Sequence, residues 1–209
     1  MLITPEQVCG GYISGLRKKY LNPVSMLAIS LTASGFILFL MKKLAWGKIN
    51  FSKISYAKTS SGGAGTEKIM ASTMEYSSLL FLFYIPILAF ASYICFNNKN
   101  YNLAEQTVTA IYALTSFSII SSVYATTTLM ISPQFYIDTA LIYSLVMVLF
   151  CIYISYKNSL NSTKSLFWRI PLFLLIFLIG YFGVSILTMV LLFITGEISI
   201  QDFIPTKTG

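Results

Sequence analysis

The chain has 209 residues, 56% of them hydrophobic and only 10% charged, where an average soluble domain is about 25% charged. Its 14 Lys and Arg stand against 7 Asp and Glu, a net charge of +7, and it contains no histidine. That composition excludes an ordinary water-soluble fold and removes the commonest metal ligand and general base. Cys9, Cys95 and Cys151 lie far apart, and neither a CxxC pair nor a disulfide framework follows from them.

The first expected element is a short amphipathic interfacial helix within residues 1–22. Thr4 can cap it, with Pro5 at its first position and Gln7 completing a capping box. Val8, Tyr12, Ile13, Leu16 and Tyr20 recur at helical spacing opposite Ser14, Arg17 and Lys18, a pattern suited to lying flat on an anionic leaflet. Gly10 and Gly11 oppose it by roughly 1 kcal/mol each.

Asn22-Pro23, a cap followed by proline, opens an apolar block over residues 23–41 that Lys42 and Lys43 stop. Residues 42–76 read as a flexible polar loop with Lys48, Lys53, Lys58 and the run Ser60-Ser61-Gly62-Gly63-Ala64-Gly65. The run lacks the lysine and the strand-to-helix setting of a phosphate-binding loop. Further blocks over 77–96, 108–130, 137–156 and 170–194 are each long enough to cross a hydrocarbon core, which takes about 20 residues. Pro86 suggests a kink and Pro133 a turn, and residues 195–209 form a polar tail. The predicted fold is an all-α integral membrane protein, with about five transmembrane helices in a bundle spanning residues 23–194.

With the long loop set aside, Arg17, Lys18, Lys19, Lys99, Lys157, Lys164 and Arg169 fall on one side and the connection near Pro133 carries no basic residue. This favours a cytoplasmic amino terminus. It also explains the positive charge by membrane topology, so nucleic acid is not expected as a partner.

The run Pro5-Glu6-Gln7-Val8, followed by Gly11-Tyr12-Ile13-Ser14-Gly15-Leu16-Arg17-Lys18-Lys19-Tyr20-Leu21-Asn22-Pro23, resembles the opening of a bacterial polytopic membrane family. That family is described only as a domain of unknown function. Its members are commonest in Bacteroidota and often carry a zinc ribbon before a Tyr-x-x-Gly-x-Arg-Lys-x-Tyr-x-Asn-Pro segment. Tyr12, Gly15, Arg17, Lys18, Tyr20, Asn22 and Pro23 match the segment, and no paired cysteines stand for the ribbon. Tyr101 to Gln106 resembles a second feature, a tyrosine and then Glu-His entering a helix, with glutamine here in place of histidine. The resemblance implies a bacterial inner-membrane protein with a cytoplasmic amino terminus, and it implies no activity.

Arg17, Lys18, Lys19 and Tyr20 are candidates for contact with lipid phosphate or an anionic partner, against a plain anchoring role. Glu105 and Asp138 each stand near the start of a predicted helix, where a carboxylate complements the dipole; Glu105 with Gln106 also suggests a polar mouth. In the third block Thr115, Ser118, Ser122 and Thr126 share a face that either packs against neighbours or lines a cavity. Ser25, Ala28, Thr32 and Gly35 in the first block, with Gly180 and Gly183 in the fifth, form small-residue stripes suited to close helix contact.

No catalytic set and no cofactor site is expected. The functional expectation is a non-catalytic inner-membrane subunit or scaffold that contacts membrane lipids and binds another membrane protein or a second copy of itself. The alternative is a small carrier or channel for a polar solute, ion or lipid headgroup, lined by the hydroxyl face of the third block.

Overall fold

A computed structural model describes residues 5–40, 43, 72, 76–97, 99–159 and 166–196. Thr4, Lys164, the Ser60–Gly65 run with nearly all of the expected loop, and the tail beyond Gly196 lie outside the described residues. Among the described residues the protein is all helical: α1 (Pro5–Ile13), α2 (Pro23–Leu40), α3 (Ser77–Phe96), α4 (Leu103–Ile131), α5 (Pro133–Ser159) and α6 (Leu166–Ile194). Three stretches, Pro23–Leu40, Leu103–Thr128 and Trp168–Ile194, are long and apolar enough to cross a membrane, while Leu80–Phe96 and Ile142–Lys157 are shorter apolar helices.

Local chemistry sets the helix ends. Asn22 Oδ1 accepts the Val24 backbone N–H at 3.0 Å, so Asn22 caps α2 with Pro23 in the first position. A reciprocal box starts α4: Asn102 Oδ1 accepts from Glu105 N–H and a Glu105 carboxylate oxygen accepts from Asn102 N–H, both at 2.8 Å. Pro133 is the first residue of α5 rather than a simple turn, and the Ser132 hydroxyl accepts from Phe135 N–H at 3.4 Å.

The amino-terminal helix departs from the amphipathic pattern expected of it. It ends at Ile13, because Gly15 adopts φ +102° while Leu16 N–H reaches the Gly11 carbonyl at 2.9 Å and Gly15 N–H that of Tyr12 at 3.3 Å. These paired bonds form a Schellman cap, which takes glycine at the left-handed position. Leu16 is therefore exposed instead of continuing an apolar face, and Tyr20 folds back onto Gly11. The helix packs against α4 and α5, with Cys9 wholly buried.

Helix α4 is central and packs against α2, α3, α5 and α1, whereas α6 packs chiefly on α3. The core forms where α3, α4, α5 and α6 meet, around Leu88, Phe96, Leu114, Ile154, Phe173 and Phe177. Alanines 89, 91, 110 and 113 belong to it and let backbones approach closely. Ser92 and Ser155 share a buried hydrogen bond of 2.8 Å between α3 and α5, and Tyr124 and Thr139 share one of 2.6 Å between α4 and α5. Outside the core, α6 exposes Leu175, Ile179, Phe182 and Ile186. In water such a surface would drive association.

Candidate functional site

The end of the bundle that carries α1 gathers most of the polar chemistry. A side chain at Gly11 would place its Cβ 2.6 Å from Tyr20 Cε2, so glycine is what allows the Tyr20 ring to lie on α1. Tyr12 meets Tyr112 of α4 edge to face at 5.9 Å, and the Tyr112 hydroxyl donates to the Leu21 carbonyl. That bond ties the start of α2 to the centre of the bundle.

Arg17, Lys18 and Lys19 are exposed on this docked segment. The Arg17 guanidinium lies 6.0 Å from the centre of the Tyr12 ring and the Lys19 ammonium 5.8 Å from that of Tyr20. The aromatic rings restrain the charged heads without neutralising them. All three charges remain available to an anionic surface.

Glu105 spends its carboxylate on the α4 cap, which is the dipole-complementing role. Gln106 is buried and donates to Asn97 Oδ1 at 3.5 Å, and the Asn97 amide donates to the Tyr101 carbonyl at 2.8 Å. The two residues thus belong to a tied turn between α3 and α4. Lys99 sits 5.8 Å from the Tyr101 ring. Burial, then Cys9 and Glu105 nearby, push the Tyr101 phenol above the usual tyrosine range. Asp138 is exposed on α5, at the opposite end of the bundle.

The hydroxyl face of α4 divides into two parts. Thr115 and Ser118 are enclosed by protein, at 0% and 8% exposure. Ser122 and Thr126 border an open groove of about 330 Å³ between α2 and α4, beside Ala33 and Ile37. Thr115, Ser122 and Thr126 donate to the carbonyls of Ile111, Ser118 and Ser122 at 2.7 to 2.9 Å, so their own helix satisfies them.

The two small-residue stripes also separate. Gly180 meets α3, since a Cβ there would lie 2.6 Å from Ile87 Cγ2, whereas Gly183 has nothing within 4 Å. On α2, Pro23, Ser30 and Ile37 are buried while Ser25, Ala28, Thr32 and Gly35 are all exposed. The α2 stripe therefore points away from the bundle, with open space around Gly35.

Sequence reading overlooked Tyr112, Asn97 and the surroundings of Arg169. A tyrosine inside an apolar span signals a polar handle in need of a partner, but its acceptor lies 91 residues away. Arg169 lines a cavity of about 500 Å³ with Tyr93, Cys95 and Asn97, where sequence alone suggested a flanking charge. Among the described residues no three His, Cys, Asp or Glu side chains cluster as a metal site would require. Comparison with protein-family models, curated proteins and solved structures gives no match.

Proposed function

We propose that this chain is a multi-pass bacterial inner-membrane protein, with its amino terminus cytoplasmic, that serves as a non-catalytic subunit or scaffold for another membrane protein or a second copy of itself. The observation that carries the reading is the outward small-residue face of α2, Ser25, Ala28, Thr32 and Gly35. Lipid tails are as apolar as leucine, so helices associate in a bilayer by close backbone approach, which small residues permit. Gly180 already seats α6 on α3 by that principle.

Five crossings follow if α3 and α5 span alongside the three helices with the longer apolar stretches, as their lengths of 20 and 27 residues allow. Arg17, Lys18, Lys19, Lys99, Lys157 and Arg169 lie on the α1 side of the helices, which supports a cytoplasmic amino terminus. The resemblance of the opening segment to the bacterial family points the same way.

Gentle detergent extraction from the native membrane should recover a defined larger complex. Replacing Ala28 and Gly35 with leucine should release the partner while the helical content stays unchanged. A wild-type protein that emerges as a clean monomer, or a complex indifferent to both substitutions, would sink the proposal. The carrier alternative draws on the open groove at Ser122 and Thr126. Loss of solute flux from vesicles on replacing Ser122 and Thr126 with leucine, with the helical content unchanged, would favour it.

A further inference from the structure

We propose that the turn between α1 and α2, and not α1 itself, is the protein's binding surface for anionic phospholipid headgroups, through Arg17, Lys18 and Lys19. The inference rests on the membrane placement above but not on the partner. A helix lying on a leaflet must turn its apolar side chains to the lipid. Here they are spent on protein: Cys9 is wholly buried, Val8, Tyr12 and Ile13 are half-buried, and the Tyr12 ring meets Tyr112 of α4. With α1 seated on α4 and α5, the large apolar side chains left bare in this segment are Leu16 and Leu21, 55% and 54% exposed. They flank the three cations.

The depth of the turn follows from its attachment. Lys19 is four residues from Pro23, at most about 14 Å of extended chain. The actual path is tighter, because Lys19 N–H returns to the Leu16 carbonyl at 3.1 Å and the Tyr112 hydroxyl holds the Leu21 carbonyl. Helix α2 turns an apolar side chain outward from its second residue, Val24, 66% exposed, which hydrocarbon would cover. The turn therefore stands at headgroup level, inside the Debye length of about 8–10 Å over which an anionic leaflet attracts cations.

Charge at this end is one-sided. Arg17, Lys18, Lys19, Lys99 and Lys157 outnumber Glu6 and Glu105, and the Glu105 carboxylate is committed to the α4 cap. At the opposite end the described charges are Lys43 and Asp138, one of each sign. The rings under Arg17 and Lys19 leave their charge intact. Cations set between bare leucines at headgroup depth fit a leaflet, where phosphate borders hydrocarbon, better than an acidic protein in water.

The test is native mass spectrometry of the full chain in mild detergent, titrated with phosphatidylglycerol or phosphatidylcholine. Wild type should prefer phosphatidylglycerol, and rising salt should narrow the preference. Lys18→Gln should reduce it about fivefold, and the triple variant Arg17→Gln, Lys18→Gln, Lys19→Gln by roughly tenfold or more. The charge-conserving variant Arg17→Lys, Lys18→Arg, Lys19→Arg should keep it. Equal binding of the two lipids by wild type, or a preference that survives in the triple variant, overturns the surface. So does a triple variant that keeps its lipid preference while shedding a protein that co-purifies with wild type from native membranes. Displacement of the lipid by inorganic phosphate at matched ionic strength overturns the leaflet as the partner. Should the triple variant lose helicity, Lys18→Gln decides, and an unchanged preference there is equally fatal. Failure of the membrane placement itself would show earlier, as a protein monodisperse without detergent.

Discussion

The seam between α3 and α6 gives the sharpest test of the packing described here. A Cβ at position 180 would lie 2.6 Å from Ile87 Cγ2 and 3.0 Å from both Cγ1 and Cδ1, where carbon atoms normally approach to about 3.5 Å. Ile87 is β-branched within a helix and holds one dominant χ1 rotamer, so Cγ2 cannot swing aside. The helices must therefore separate by close to an ångström in Gly180→Ala, an overpacking that costs about 1–3 kcal/mol. Alanine's better helix propensity returns about 1 kcal/mol, the same gain that Gly183→Ala enjoys with nothing within 4 Å. Gly180→Ala should thus be about 1–3 kcal/mol less stable than Gly183→Ala. Unfolding in mixed micelles with a denaturing detergent, followed by circular dichroism, measures both. In an Ile87→Ala background the penalty at position 180 should vanish. Equal stability of the two glycine variants, or a penalty that survives removal of the Ile87 side chain, would refute the reasoning.

Gly11→Ala should lift Tyr20 from α1 and undock the amino-terminal segment, because the new methyl falls 2.6 Å from the ring. Cys9, 0% exposed, then becomes alkylatable, and peptide mapping should find it labelled faster than in wild type while Cys151 is unchanged. Tyr112→Phe removes the donor to the Leu21 carbonyl and should cost about 1 kcal/mol, read as a lower unfolding midpoint. Asn102→Ala deletes the α4 cap at a similar cost of about 1 kcal/mol. Stability should also fall above pH 10 through Tyr101: its phenol holds its proton more tightly when folded, so the unfolded chain ionises first and gains as pH rises. Tyr101→Phe should flatten that limb of the pH profile.

Capping chemistry was the part of the fold most open to sequence reading, since Asn22-Pro23 and the carboxylate at Glu105 act within a few residues of themselves. Hydropathy located the helices but not their ends. Helix α4 begins at Leu103, ahead of the block that starts at 108, because the Asn102 and Glu105 bonds extend it through a polar stretch. The end of α1 is hidden from hydropathy for a related reason: a periodic pattern carries no sign of the left-handed turn that Gly15 supplies. Spacing shows that Ser25, Ala28, Thr32 and Gly35 share a face, yet α2 is apolar all round and so lacks the polar side that would orient it. The tie from Tyr112 to Leu21 and the gathering of Tyr93, Asn97 and Arg169 depend on residues far apart in the chain, which no local pattern encodes.

That long-range tie has a consequence for biosynthesis. The acceptor at Leu21 leaves the ribosome 91 residues before its donor at Tyr112, an interval of roughly 5–20 s at translation rates of about 5–20 residues per second. Until α4 and then α5 emerge, Cys9 and Tyr12 have no berth, and the leading segment waits unseated while later helices are inserted. A nascent chain arrested before Tyr112 should therefore expose Cys9 to thiol reagents, and one released after Ser159 should not.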